Sequence, residues 1–295
     1  MRESPTACAC RLCGSNTRIV ESHIIPAFVG RWLKDTSATG FLRGILAPNR
    51  RMQDFPTVRL LCKDCEQRFS TAEKNFAELV FLPFHQQGRS RFSYGDWLLY
   101  FAASLAWRCL VSSERDELLQ YPQHVKQVDH AREVWTDFLL GRTDSTGSYR
   151  FNLFFMPDGG SSEHPLPEGL AWYHLRATDW TQVFSRARAA AYAKLPGMLF
   201  WTSVVPPDPG GWRGTRIAKH GTIYSKNQII KDGSMGEFLL DRCLVISKAR
   251  SDLSAVQMRR IEDAIRRNPQ RAVQSGDFTA WLEEERIRRH NSSKS

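Results

Sequence analysis

The chain has 295 residues, 42% hydrophobic and 24% charged, with 17 Phe and 9 Trp. That much apolar and aromatic mass excludes disorder as the dominant state and allows one large domain or two modest ones. Lys and Arg number 41 against 31 Asp and Glu, a formal net charge of +10, and 31 of the 41 bases are arginine. Guanidinium forks match phosphate oxygens two at a time, so this excess favours a polyanionic partner.

The longest near-continuous apolar run, Leu98 to Trp107, lies between Asp96 and Arg108. It is about half of what a membrane span needs. The opening residues Met-Arg-Glu-Ser-Pro-Thr carry no hydrophobic signal segment, so a cytoplasmic protein without membrane contact is expected.

The first chemistry-bearing feature is cysteine spacing. Cys10 and Cys13 form one Cys-x-x-Cys pair, and Cys62 and Cys65 another. In a reducing compartment such pairs read as a metal site before they read as disulfides. Two intervening residues let a tight turn aim both thiolates at one ion, about 2.3 Å from each sulfur. A tetrahedral structural Zn²⁺ on Cys10, Cys13, Cys62 and Cys65 would close a long loop and supply on the order of 10–16 kcal/mol of apparent binding free energy. Cys8 in place of Cys10 is a sterically possible alternative. Four thiolates leave no open coordination position, so catalysis must come from residues that the zinc holds in place. Cys109 and Cys243 stand apart in apolar surroundings and read as buried thiols.

Between the pairs, Ile19 to Pro26 is a short β-type run with one histidine, His23, and Val58 to Leu61 is a second strand leading into Cys62. From Lys63 to about Phe81 the residues Phe69, Ala72, Phe76, Leu79 and Val80 recur at helical spacing and form one apolar stripe. Strand, strand and helix around a ligand set make one unit, expected over residues 1–84.

Residues 10–80 resemble an HNH (ββα-metal) endonuclease module of the zinc-stabilised, treble-clef kind. The resemblance rests on Cys10-Arg-Leu-Cys13, Glu21-Ser-His-Ile-Ile-Pro26 and Leu61-Cys-Lys-Asp-Cys-Glu66. It implies that His23 is the general base that takes a proton from the attacking water. It also implies that Glu66 ligates a catalytic Mg²⁺ or Mn²⁺, for which a carboxylate is a suitable oxygen donor. Ser22 stands where many members carry an acidic ligand, and Thr57 where they carry an asparagine; Asn49 is nearby but off by spacing. Glu73 lies seven residues after Glu66, roughly 10.5 Å along the helix. It is a further candidate beside the cofactor, in an outer position or as partner of an arginine.

The insertion Ala27 to Pro56 contains Arg31, Lys34, Arg43, Arg50 and Arg51. Arg43, Arg50 and Arg51 are candidate nucleic-acid contacts that would position a phosphate backbone; an ordinary charged surface loop is the alternative. Pro83 and the stretch His85 to Arg91 mark a boundary, followed by a larger domain over residues 85–295 for recognition of a target or partner. Asp96 to Ser113 is apolar nearly all round, as a buried helix requires, and Val125 to Leu140 is a second helix. Tyr149–Met156 and Met198–Val205 read as strands bounded by Gly/Pro loops, Pro157–Gly169 and Pro206–Gly214 among them. A further hairpin around Gly221 would pair Ile217 with Thr222–Tyr224.

Glu237–Lys248 is open between helix and strand. Ser254–Arg267 and Asp277–His290 are helices, the second started by Ser275 or Asp277. Arg259, Arg260, Arg266 and Arg267 lie opposite Met258, Ile261 and Ile265, as a nucleic-acid face or as the exposed half of i,i+4 salt bridges. The tryptophans read as core, with Trp212 in its Gly-rich loop as the exception.

The expected fold class is α+β, a zinc-bound ββα module joined to a domain with an antiparallel sheet and flanking helices. The expected function is metal-dependent hydrolysis of DNA phosphodiesters, in a setting that the resemblance suggests is phage defence or restriction. The alternative is a catalytically degenerate zinc module that binds nucleic acid or serves as a subunit beside a protein partner.

Overall fold

The computed structural model describes residues 9–112, 115–156, 165–208 and 210–293. Cys8 and most of the expected loop Pro157–Gly169 lie outside the described residues. Where strands pair, they pair antiparallel, and with the intervening helices they make a mixed α+β fold.

The N-terminal part runs β1 (Ile19–His23), α1 (Ala27–Asp35), β2 (Leu42–Gly44), β3 (Ala47–Met52), β4 (Thr57–Cys62) and α2 (Lys63–Phe76). β1 and β4 pair with Ile19 opposite Cys62 and His23 opposite Thr57. The insertion is therefore more than a loop. Pro26 sits at the N-cap of α1, and Val29 and Leu33, one turn apart, bury that helix. After α2 the chain passes through a π-helical turn, Ala77–Phe81, into α3 (Leu82–Gln87). The extra residue of a π turn shifts the phase of the stripe. Val80 and Phe81 are fully buried, whereas Leu79, expected in the stripe, is exposed. Gly88, at φ +61°, stops the helix in the left-handed conformation glycine tolerates.

The second part follows as β5 (Arg91–Tyr94), α4 (Asp96–Ser112), α5 (Arg115–Leu119), α6 (Val125–Leu139), β6 (Phe151–Phe155), α7 (Leu170–Arg176), β7 (Asp179–Ser185), β8 (Arg188–Leu195) and β9 (Met198–Val205). Then come β10 (Trp212–Arg213), β11 (Gly221–Tyr224), β12 (Ile229–Ile230), α8 (Gly233–Ser251), α9 (Ala255–Arg267), α10 (Pro269–Val273) and α11 (Gly276–Ser292). The main sheet has the order β6-β9-β8-β7.

α4 is apolar on every side because it is covered on every side, by α2, α6 and the sheet. Ala189, Ala191 and Ala193 of β8 join its core cluster; small side chains let a helix sit close to a strand. Tyr192, Leu199 and Trp201 point to the opposite face, against Met235 and Phe238 of α8, as the two-residue period of strands requires. Phe76 of α2 stacks on Phe101 of α4 at 4.3 Å, and both meet Phe200 of β9 at 5.5 Å. Helix α2, the central helix α4 and the sheet thus share one apolar contact.

Two expectations change here. Thr222–Tyr224 pairs with β5, Gly221 opposite Tyr94 and Tyr224 opposite Arg91, because the Ile217 N–H is already committed to the Phe151 carbonyl at 2.8 Å. Glu237–Lys248 is wholly helical inside α8, which Asp232 caps by accepting from the Met235 N–H. Ser254 and Ser275 cap α9 and α11 in the same way. Cys109 and Cys243 are buried thiols, and Trp212 stacks on Trp201 at 5.9 Å. Among the described residues no helix is long and apolar enough to cross a membrane.

Candidate metal centre and the adjoining histidine

The turn Cys10–Cys13 closes through the Gly14 N–H on the Cys10 carbonyl at 2.8 Å and the Cys10 N–H on the Ser15 carbonyl at 3.0 Å. Gly14 takes φ +75° to allow it, a region that side-chain-bearing residues avoid. The Arg11 N–H reaches the Leu60 carbonyl at 3.0 Å, laying the turn against β4. Cys62 ends β4 and Cys65 lies in the first turn of α2, so a strand-to-helix junction supplies the second pair.

The four sulfurs lie within 4.8 Å of one another. Cys13 and Cys62 are 3.9 Å apart, far beyond a disulfide bond. A tetrahedron with zinc–sulfur bonds of about 2.3 Å has edges of about 3.8 Å. The Cys62 N–H also donates to Cys10 Sγ at 3.3 Å, which suits a sulfur carrying negative charge. Cys10, Cys62 and Cys65 are buried. Burial pushes the Cys10 and Cys65 thiols up, whereas the Ser15 hydroxyl 2.9 Å away pulls Cys13 down to about 6. Cys13 is thus predisposed to be thiolate, whereas Cys10 and Cys65 need a cation to become so. The donor set, spacing and burial fit a structural zinc ion held by Cys10, Cys13, Cys62 and Cys65.

His23 closes β1 at the end away from this centre, opposite Thr57, whereas Ile19 at the other end lies opposite Cys62. Its carbonyl accepts from Arg108 Nη1 at 2.7 Å, and Arg108 Nη2 reaches Glu73 Oε1 at 2.5 Å. Arg108 is the buried charge of α4, and its guanidinium also lies 5.0 Å from the Phe69 ring. Glu73 therefore serves as an arginine's partner, and through that arginine it helps fix the end of β1.

The imidazole is one-fifth exposed, and its Nε2 lies 3.5 Å from Asp54 Oδ1. That nitrogen is closed off from solvent and has no hydrogen-bond partner among the described residues. Asp54, in the β3–β4 connection, accepts from the Phe55 N–H at 2.8 Å. Sequence reasoning missed it; its only local signal is an acidic residue at a turn before Phe55-Pro56.

The direct polar contact of Glu66 is with the residue before the histidine. Ser22 Oγ donates to Glu66 Oε2 at 2.8 Å, and Ser22 is fully buried. Successive strand side chains alternate faces, which turns Ser22 toward α2 and His23 toward Asp54. Glu66 Oε1 has no hydrogen bond among the described residues. Asn49 binds backbone instead, accepting from the Ser254 N–H at 2.7 Å and donating to the Asp252 carbonyl at 2.9 Å.

In the β2–β3 hairpin Arg43 lies directly opposite Arg51. Arg43 Nη1 donates to the Pro48 carbonyl and to Gln257 Oε1, at 2.9 and 3.1 Å, and Arg51 lies 4.7 Å from the Phe41 ring. Arg50, between them in sequence, is exposed. Comparison with known protein families, with curated proteins and with solved structures finds no match to this chain.

Proposed function

We propose that residues 9–87 form a zinc-stabilised ββα module that hydrolyses phosphodiester bonds of DNA. The observation that carries the reading is the setting of His23. It sits at the end of a strand held by the four-cysteine centre and by Arg108, with one ring nitrogen against a carboxylate. In the tautomer that points Nε2–H at Asp54, Nδ1 is the nitrogen left to take a proton from water as that water attacks phosphorus. Asp54, 3.5 Å from that nitrogen and short of a hydrogen bond as it stands, would orient the ring once that contact tightens, as a carboxylate does for a catalytic histidine elsewhere.

The oxygen donors nearest the module's helix suit a hard divalent cation. Glu66 has one oxygen beyond its bond with Ser22, and Mg²⁺ is commonly held by one or two carboxylates together with substrate phosphates. Glu66 is the residue that would hold such an ion, with the buried Ser22 hydroxyl fixing its other oxygen. Because Ser22 and His23 face opposite sides of β1, the ion would lie across the strand end from the imidazole and would supply charge stabilisation to a phosphate there when bound. Arg108 keeps the end of β1 in place, and Glu73 keeps Arg108 in place.

The test is cleavage of plasmid DNA with Mg²⁺ or Mn²⁺. Wild type should nick or linearise it, and His23→Ala should lose at least about a hundredfold in rate, the lower end of general-base contributions. Equal rates for the two proteins would reject the reading. A second reading, a module that binds nucleic acid without cutting, is favoured by one observation: the Ser22 hydroxyl already occupies one Glu66 oxygen. It requires DNA binding with no cleavage by wild type.

A further inference from the structure

The hairpin and the C-terminal helices meet along a cleft that the reading of His23 does not use. Its volume is about 470 Å³, and Phe41, Arg51, Arg260, Asp263, Arg267 and Arg271 line it. Four guanidiniums thus face one carboxylate. Arg260 and Arg267 are exposed, and no ion pair holds either of them among the described residues. Asp263 shares the α9 surface with both, three residues after one and four before the other.

The two walls are fastened together. Arg271 donates to the Ser37 and Lys34 carbonyls at 3.0 and 3.2 Å. The Ala38 N–H donates to Asp277 at 2.9 Å, and the Gly276 N–H to the Thr36 carbonyl at 2.8 Å. Arg176 joins Asp277, Thr36 and Leu33 from behind, at 2.8 to 2.9 Å. The cleft is a fixed feature of the fold.

Its charge is under-compensated. Like charges directly opposite across a strand pair are destabilising, yet Arg43 and Arg51 face each other. Arg43 Nη2 and Arg51 Nε are buried with no hydrogen-bond partner among the described residues, a state that costs more for a charged group than for a neutral one. Burial, together with the charges of Arg51 and Arg260, makes the Arg43 proton easier to lose than usual.

We propose that this cleft binds the sugar-phosphate backbone of a DNA duplex. The inference rests on the nucleic-acid reading of the module and gives it a place. Only Met52 and Gln53 separate Arg51 from Asp54, which lies 3.5 Å from His23, so the Arg51 and Asp54 backbones are at most about 11 Å apart. A duplex engaged at His23 would place neighbouring phosphates against Arg51, and α9 would continue the track with Arg260 and Arg267. Because the contacts are to phosphates, binding would be strong at low salt and indifferent to sequence.

The experiment is fluorescence anisotropy with a short labelled DNA duplex, in buffer without divalent cations so that cleavage plays no part. Each phosphate contact contributes about 0.9 to the slope of log K against log salt, or roughly eightfold in affinity between 1 M and 0.1 M salt. Arg260→Glu/Arg267→Glu should therefore weaken binding at 0.1 M salt by tenfold or more and flatten the slope by about 1.8. Arg260→Gln/Arg267→Gln, which removes the charges without reversing them, should flatten the slope equally. Arg286→Glu/Arg289→Glu on α11 makes the same change in net charge away from the cleft and should stay near wild type.

If both charge-reversed proteins weaken alike, binding follows net charge and the cleft is not the site. If wild type fails to bind at low salt, the proposal also falls. Failure of cleavage with retained, cleft-dependent binding would remove the nuclease reading and leave this one standing. All variants change exposed helical positions, and equal zinc content with equal far-UV circular dichroism verifies their folding.

Discussion

Arg108→Met is the substitution whose cost follows most directly from the structure. Arg108 is 1% exposed and joins the central helix to both the carboxylate of Glu73 and the carbonyl of His23. Methionine keeps most of the volume but leaves Glu73 without its cation and the His23 carbonyl without a donor. Breaking a buried ion pair from one side costs about 3–5 kcal/mol. Glu73 is 21% exposed on its side chain, so water recovers part of this and the lower end applies. The orphaned carbonyl adds about 1 kcal/mol, for a total of about 4 kcal/mol.

Arg108→Met/Glu73→Met removes both charges, and replacing a whole buried pair by apolar groups is often neutral. The double variant should therefore lose only the carbonyl bond and packing, about 1–2 kcal/mol. Urea unfolding of the zinc-loaded proteins, followed by tryptophan fluorescence, reads all three stabilities. A single-variant loss below about 1 kcal/mol, or a double variant no better than the single, would refute the claim that this pair anchors β1 to α4.

Other consequences are open to direct measurement. Asp54→Ala should lower the cleavage rate by about tenfold or more while leaving duplex affinity unchanged; an unaltered rate would remove Asp54 from the mechanism. Glu66→Gln should raise the Mg²⁺ concentration needed for half-maximal cleavage, and an unshifted requirement would place the ion elsewhere. His85 and His174 are held down to about 4 and about 3, chiefly by burial and secondarily by the charge of Lys194. Their folded values lie below the unfolded value of about 6.5, so the unfolded chain binds more protons as pH falls from about 6.5 to 4 and stability drops in that window. Zinc loss also destabilises in acid, so the test is the difference from His174→Gln, whose urea midpoint should fall less steeply between pH 7 and 5.

What the sequence discloses and what it hides divide along physical lines. α4 is legible because a helix covered on all sides must be apolar on all sides, and α9 and α11 because Ser254 and Ser275 mark their starts. The cysteine spacing is legible because turn geometry and metal geometry are both local. β8 is not, since Arg188-Ala-Ala-Ala-Tyr-Ala-Lys is rich in helix formers; it becomes a strand because close packing against α4 demands small residues on a sheet. The pairing of β11 with β5 spans more than a hundred residues and leaves no local trace.

α1 leaves a signal, Pro26 followed by apolar residues at helical spacing, inside a stretch otherwise marked by its arginines. At the site, His23 and Glu66 follow from a motif and Glu73 from helical spacing, whereas their partners Asp54, Ser22 and Arg108 come from tertiary contacts. Adjacent strand residues face opposite ways, so the contact with Glu66 belongs to Ser22.

The most direct measurement is metal content. Protein purified under reducing conditions without added metal should carry one zinc per chain by elemental mass spectrometry, and Cys13→Ser/Cys65→Ser should carry almost none. Stripping the ion should unfold the segment that holds His23, seen as loss of amide protection across β1 and β4 in hydrogen exchange. A folded, exchange-protected β1–β4 pair in protein free of zinc would contradict the account at its root.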